Sequence, residues 1–312
     1  HAEMSAIDRI AGSGGQPAVV LAHVSGAKAE VYEHGATVTK YATSNGVNVL
    51  WLSSTAIYNG AKGLRGGIPI VFPQFGPIAD ARLGVESMPQ HGFARTQQWA
   101  VKSTTVKPNG DCECVFSLGH TEASLKAWPH EFSLEYTVLL SSTSLHTSLK
   151  IKNLDKAGGA PFAPQALLHT YFAVPDSLGV RVHGLEGSTF VDSFDGSKVK
   201  TETPPAIELI GEVDRIYQGE TRAQPPIVLG GAAVAQVRLD THVCLLDAND
   251  VISAELSADV VVWNPHVDKA LGMGDFDDEG WKNMVCVEPG VVAANRPQPE
   301  TNGAMVLAQT IT

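Results

Sequence analysis

The chain is poor in the features that mark out whole classes of protein. Only four of its 312 residues are cysteine (Cys112, Cys114, Cys244 and Cys286), too few to staple a fold of this length. The C-x-C of Cys112 and Cys114 has no second pair to complete a zinc site, so all four are expected as reduced structural thiols. Basic residues are outnumbered: 22 Lys and Arg stand against 33 Asp and Glu, a net charge of -11. Nucleic-acid binders carry a basic patch or stripe, and none is visible. No apolar run approaches the roughly 18 residues of a membrane span. Signal-peptide and N-x-[ST] patterns are missing. So are a P-loop, HExxH, GxGxxG after a strand and G-x-S-x-G. These exclusions predict a soluble cytoplasmic protein without nucleic acid, membrane or cofactor among its partners; edge strands could pair two copies but nothing in the sequence forces it, so a monomer is expected.

What is present is strand material. Hydrophobic residues make up 44% of the chain and charged residues 18%, enough apolar content for a sizeable core. Residues 1–17, small, polar and Gly-rich, read as a mobile N-terminal tail. From 18 to 312, runs of Val, Thr, Leu and aromatics alternate with Gly, Asn and Asp. "AEVYEHGATVTKYATSNGVNVLWLS" reads as strand, turn, strand, with Asn45-Gly46 as the hairpin turn. "EFSLEYTVLLSSTSLHTSLKIKN" reads as two paired strands, and "AVAQVRLDTHVCLLDA" and "SADVVVWNP" continue the pattern. Short helices are expected only near "SSTAIYNG" and "MGDFDDEGW". The pattern predicts an all-β protein, a large antiparallel β-sandwich forming one domain over 18–312. Residues 62–95 stand apart, dense in Gly and Pro yet carrying aromatics. A long irregular segment of that kind in a β domain reads as functional.

Several residue patterns carry chemistry. "LRGGIPIVFP" sets Arg65 before two glycines, which let a ligand approach the backbone. "PQHGFAR" supplies Gln90, His91 and Arg95. Two arginines on one folded loop can fork onto a phosphate or carboxylate; they can equally be solvated or paired with acids of this acidic chain. "PQALLHTYFAV" puts His169 in a strand, with Leu167, His169 and Tyr171 on one face and Leu168, Thr170 and Phe172 on the other. Such a histidine is either a core residue with one backbone hydrogen bond or one aimed at a substrate. In "NMVCVEPGVV", Met284, Cys286 and Glu288 share a face opposite Val285 and Val287, and Pro289-Gly290 is expected to end the strand. A carboxylate closing an apolar strand is costly to bury without a partner. Asp214-Arg215 alone reads as a salt-bridged turn. "DFDDEGWKNMVC" begins like a calcium loop, but its twelfth position is Cys286 where calcium needs a glutamate, so it reads as an acidic loop. A histidine, a glutamate and an arginine pair together suit proton transfer on an anionic substrate without metal or cofactor.

The series "RGGIPIVFPQFGP", "PQHGFAR", "LLHTYF", "EVDRIYQG", "VVWNP…DKALGMGDF" and "MVCVEPG" resembles the glucose-6-phosphate 1-epimerase (hexose-6-phosphate mutarotase) family of the aldose 1-epimerase, galactose-mutarotase-like group. The matches run in family order from about Tyr32 to the C-terminus. The resemblance implies a large antiparallel sandwich binding a hexose 6-phosphate on a concave sheet face. It implies His169 as general acid and Glu288 as general base. It also implies Arg65 and Arg95 on the 6-phosphate, with Gln90, His91 and Asp214 on the sugar hydroxyls. His266 departs from the pattern, which has an aromatic after "WNP". Two other readings stay open: an aldose 1-epimerase acting on unphosphorylated sugar, and a catalytically silent sugar-phosphate-binding protein. A glycoside hydrolase would need two carboxylates astride the scissile bond, and Glu288 with Asp214 is the pair to examine.

Overall fold

Period-two runs such as Phe132–Leu140 and Leu145–Asn153, in which every second residue is buried, hide only one face. Strands of this kind must stack in layers. A computed structural model describes residues 4–77, 88–158, 161–196, 198–221, 225–231, 234–293 and 298–312, and arranges the strands in three antiparallel sheets. The chain begins with β1 (Ala6–Ala11), β2 (Pro17–Ala22), β3 (Lys28–Tyr32) and β4 (Thr37–Ala42). There follow β5 (Ile70–Val71), β6 (Ala100–Val106), β7 (Cys112–Gly119), helix α1 (Glu122–Ala127), β8 (Phe132–Leu140) and β9 (Leu145–Asn153). The middle supplies β10 (Ala166–Leu168), β11 (Tyr171–Ala173), β12 (Arg181–His183), β13 (Thr189–Asp192), β14 (Val199–Thr201), β15 (Ala206–Glu208) and β16 (Val213–Tyr217). Last come β17 (Ile227–Gly231), β18 (Val234–Leu246), β19 (Ile252–Leu256), β20 (Asp259–Asn264), helix α2 (His266–Leu271), β21 (Met284–Val291) and β22 (Ala304–Ile311).

Strands β1 to β4 form one sheet in chain order. Ten strands form a second, β15-β12-β17-β18-β22-β9-β8-β7-β6 with β19 beside β18. Eight form the third, β14-β13-β16-β20-β21-β10-β5 with β11 also on β21. The core lies between the two larger sheets. Phe132, Leu134 and Tyr136 of β8 share it with Val260 and Val262 of β20 and Val285 and Val287 of β21. One polar tie crosses it: Gln309 Nε2 of β22 donates to Thr170 Oγ1 (2.9 Å), both residues buried. The alternate residues of the eight-stranded sheet, among them Val261, Trp263, Cys286 and Glu288, look away from this core.

Four expectations need correction. From Ala6 onward the N-terminal stretch is not a tail, while residues 1–3 lie outside the described residues: β1 pairs with β2 from Ala6↔Ala22 to Ala11↔Pro17, because Gly12 to Gly15 close a tight turn that brings the two strands together. "SSTAIYNG" forms no helix, since Ser53 and Ser54 bond the Asp277 carboxylate instead. The expected helix over "MGDFDDEGW" is only a 3₁₀ turn at Gly280–Asn283, and the α-helices lie elsewhere. One of these, α1, is set by reciprocal capping between Thr121 and Ser124. Finally, Pro289-Gly290 does not end β21. Gly290 pairs with Asp259 on one side and Leu167 on the other. A Cβ at Gly290 would stand 2.8 Å from the Ala166 carbonyl oxygen and 2.9 Å from Leu167 Cβ. Among the described residues, no helix is long and apolar enough to cross a membrane.

Gly290→Ala is therefore expected to cost about 1–3 kcal/mol through overpacking between β10 and β21. Urea denaturation measures this, and an unchanged midpoint contradicts the close approach.

Candidate active site

The central contact follows from strand register. Leu167 pairs with Gly290 and Tyr171 with Cys286, so counting inward from either pair sets His169 opposite Glu288. Between the two pairs the ladder opens. Pro289 has no N–H to give the Leu168 carbonyl across from it. That carbonyl instead accepts from Thr170 N–H (2.8 Å), a three-residue turn centred on His169. The ladder resumes with Val287 N–H donating to the Thr170 carbonyl (3.1 Å). His169 thus sits at the break between β10 and β11, not within a strand, though its face is the one period two predicts. Its Nδ1 lies 3.3 Å from Glu288 Oε1, and Glu288 is 1% exposed. Neither Nδ1 nor the second oxygen, Oε2, has a hydrogen-bond partner. Tyr171 stacks on the His169 ring (centroids 4.7 Å, planes at 10°), and Trp263 meets it edge-on.

The segment 62–95, of which 78–87 lie outside the described residues, carries the cations. Arg65 donates to Tyr171 Oη (3.3 Å) and pairs with Asp275 (3.1 Å). The glycines after it serve the fold, not a ligand. Gly66 has φ +115° and no room for a Cβ beside Trp51 O, at 2.6 Å, so the backbone after Arg65 lies tight against that of Trp51 and Leu52. Arg95 donates from Nη2 to the Gln90 carbonyl (2.8 Å), while its Nε is buried without a partner. No carboxylate forms an ion pair with Arg95 among the described residues. His91 accepts the Gly76 N–H at Nδ1 (3.2 Å), which leaves Nε2 to carry its hydrogen. Its ring meets His169 edge-on.

On the far side stands β16. Asp214 and Arg215 are neighbours in this strand, not a turn, and they point to opposite faces. Arg215 pairs with Glu202 (3.1 Å) behind the sheet, and Asp214 faces the hollow beside Ser193, whose N–H donates to the Asp214 carbonyl (3.1 Å). Asn264 gathers the next corner by donating to the carbonyls of Trp281 and Met284 and accepting from His266 N–H. That fixes α2 and its Lys269 at the rim. His266, where an aromatic was expected, packs on Trp281 with ring centroids 4.3 Å apart.

All seven candidate residues, Arg65, Gln90, His91, Arg95, His169, Asp214 and Glu288, line one hollow of about 390 Å³, with Phe75, Trp263 and Met273 as apolar wall. This size suits a small ligand. Burial holds His169 well below its ordinary value, and His91, Arg65 and Arg95 add to it. Burial, aided by Asp214, pushes Glu288 well up. His91 falls to about 3 through burial and the two arginines. Burial raises Asp214. Burial lowers Arg95, and neighbouring Arg65 lowers it further. Burial works against the Arg65 cation as well, but Tyr171 and Asp275 more than offset it. His169, Cys286 and Glu288 offer three donors within 4.8 Å of one another, a spacing a divalent cation could use, although the nearby guanidinium of Arg65 opposes one.

Asp275, Tyr171, Trp263 and Lys269 escaped the sequence reading. Trp263 alternates with the core valines of β20 and so was legible as facing outward. Asp275 stood in a recognised acidic loop, but its partner lies 210 residues away in sequence.

Residues 17–299 match the family described as aldose 1-epimerase. A protein from Cenchrus ciliaris, provisionally named glucose-6-phosphate 1-epimerase, is 35% identical over 298 residues, covering 93% of this chain and 84% of that protein. A Salmonella typhimurium protein with the same provisional name is 32% identical, covering 91% of this chain and 86% of its own length. A crystal structure from Salmonella typhimurium, provisionally named a mutarotase, superposes with a TM-score of 0.81 at 29% identity, covering 98% of this chain and 92% of that one.

The histidine shifts set a pH dependence. His91 is held from 6.5 down to about 3, and His169 is shifted in the same direction. The stability this confers is fully present above about 6.5. It is lost as pH falls through that window, because the unfolded chain takes up protons that the fold refuses. His91→Gln is expected to lose less urea stability than the parent between about pH 7 and about pH 5; equal losses contradict the shift.

Proposed function

This chain belongs to the aldose 1-epimerase family, and we propose that it interconverts the α and β anomers of a hexose 6-phosphate, with D-glucose 6-phosphate the first candidate. The observation that carries the phosphate is Arg95. A largely buried guanidinium with an unpartnered Nε and, among the described residues, no ion-paired carboxylate, beside Arg65 and opening on the same hollow as the His169–Glu288 pair, suits an anion. An anion seat beside the histidine also suits the sugar's chemistry, because the carbon that bears C6 is bonded to the ring oxygen. The provisional name of the Cenchrus ciliaris relative points to the same substrate.

In this reading Glu288 takes the proton of the anomeric hydroxyl and His169 gives one to the ring oxygen. Its buried Nδ1 faces Glu288, so Nε2 is the nitrogen that reaches the hollow. The C1–O5 bond breaks to the open aldehyde, rotation about C1–C2 turns the other carbonyl face to O5, and closure reverses both transfers. Asp214, Gln90 and His91 hold hydroxyls, and Trp263 and Phe75 wall the ring. One chain supplies every residue the reaction needs. Four free, buried cysteines favour a reducing compartment such as the cytoplasm.

His169→Ala and Glu288→Ala are each expected to lose about 10²–10⁴-fold in turnover, measured by exchange between the anomer signals in NMR. Near-normal turnover in either removes that residue from the mechanism. Arg65→Ala and Arg95→Ala are expected to raise KM for glucose 6-phosphate roughly tenfold to a hundredfold, the worth of a charged hydrogen bond, and to leave KM for glucose nearly unchanged. Equal effects on both sugars contradict the phosphate assignment.

A further inference from the structure

The acid–base roles require Glu288 ionised and His169 protonated at the same time. The protein's own groups favour the opposite arrangement. Burial disfavours both charged forms. The cations Arg65 and Arg95 repel a proton from His169, and Asp214 holds one on Glu288. Nδ1 and Oε1 lie 3.3 Å apart, an ion-pair distance, with no hydrogen bond at Nδ1 to commit the pair's proton. It therefore has two seats, and the balance between them is set by the charges facing the pair. Asp275 already meets Arg65. Arg95 has no ion-paired carboxylate among the described residues, and Lys269 stands at the Asp214 end. Tyr171 couples the arginine side to the ring directly, accepting from Arg65 while stacked on His169.

We propose that a dianion seated on Arg65 and Arg95 is an activator as well as an anchor: filling that seat moves the proton of the pair from Glu288 Oε1 to His169 Nδ1, so that an unlinked dianion speeds anomer exchange of a sugar that carries no phosphate. The step is one proton transfer within the pair. It leaves a carboxylate to receive the anomeric proton and an imidazolium whose Nε2–H faces the ring oxygen. The dianion cancels the guanidinium field at His169, and Asp214 no longer decides where the proton sits. The inference rests on the proposed function, because it takes the arginine seat as the phosphate seat.

The probe is phosphite dianion, and the sugar is D-xylose, which keeps the ring and anomeric centre of glucose and lacks C6. Phosphite is expected to raise xylose anomer exchange saturably by about tenfold or more, the equivalent of one pKa unit. In ¹⁵N spectra of histidine-labelled protein without sugar, it is expected to move His169 Nδ1 toward the imidazolium position. Arg95→Met is expected to lose the phosphite response and to exchange xylose faster than the parent when no anion is present, since the repelling charge is gone. If glucose 6-phosphate is interconverted but phosphite leaves xylose exchange unchanged or only inhibits it, the anion is an anchor alone and the inference falls. An unshifted Nδ1 resonance at saturating phosphite overturns it equally, whether or not the Arg95 variant folds. If glucose 6-phosphate itself is not interconverted, the underlying function fails, and that failure is seen before any phosphite is added.

Discussion

A carboxyl group that is 1% exposed, set against one imidazole and given no other partner at its second oxygen, is costly to bury. Structural carboxylates in this chain are treated differently. Asp259, also buried, accepts three backbone N–H groups, from Gly219, Val292 and Ala293. The poverty of Glu288's surroundings leaves its lone pairs and its proton free for something outside the protein. The surrounding fold keeps this contact from relaxing. Apolar residues flank it in β20 and β21, Tyr171 and Trp263 clamp the histidine ring, and Gly290 lets β10 lie close against β21.

The histidine reaches the carboxyl through a defect placed where it has an effect. Opposite residues at a non-hydrogen-bonded position of an antiparallel pair bring their side chains closest. That is the relation of His169 to Glu288. A complete ladder would hold His169 in the plane of its strand. Pro289 withdraws the donor that the Leu168 carbonyl needs, the carbonyl turns to Thr170, and the backbone pivots at His169. On the opposite face, the buried Gln309 hydrogen bond holds Thr170 to the larger sheet. One residue of β10–β11 thus faces the hollow while the next is anchored through the core, and the imidazole gains a fixed position without a hydrogen bond of its own. Charge completes the arrangement. Cations crowd the histidine end and a carboxylate the glutamate end.

Much of this was legible in the sequence, and the parts that were not share a cause. Period two assigned Leu167, His169 and Tyr171, and Met284, Cys286 and Glu288, to the faces they occupy, because alternation is a local property of extended chain. Strand ends and breaks are not local. Pro289-Gly290 read as a stop, yet β21 continues because β20 pairs with it there. Asp214-Arg215 read as a turn because two adjacent opposite charges suggest a local pair, whereas a strand sends them to opposite faces and gives Arg215 its partner in Glu202. The glycines after Arg65 were rightly seen as marking a close approach, but the approaching group is the Trp51 backbone. Arg65's carboxylate, Asp275, was beyond reach from spacing alone. The resemblance to hexose-6-phosphate epimerases named seven residues, and they line one hollow; without it, His169 and the two arginines would have stayed balanced between core, surface and site.

The central claim is that a buried acid–base pair and an anion seat act on one small sugar phosphate. Saturation-exchange NMR on the unaltered protein tests it most directly, comparing the α and β anomer signals of D-glucose 6-phosphate with those of D-glucose. The account predicts fast, protein-dependent exchange for the phosphosugar and slow exchange for glucose at equal concentration. Equal exchange of both sugars would leave the arginines without a role in selection, and exchange of neither would return His169 and Glu288 to the interior as structural residues.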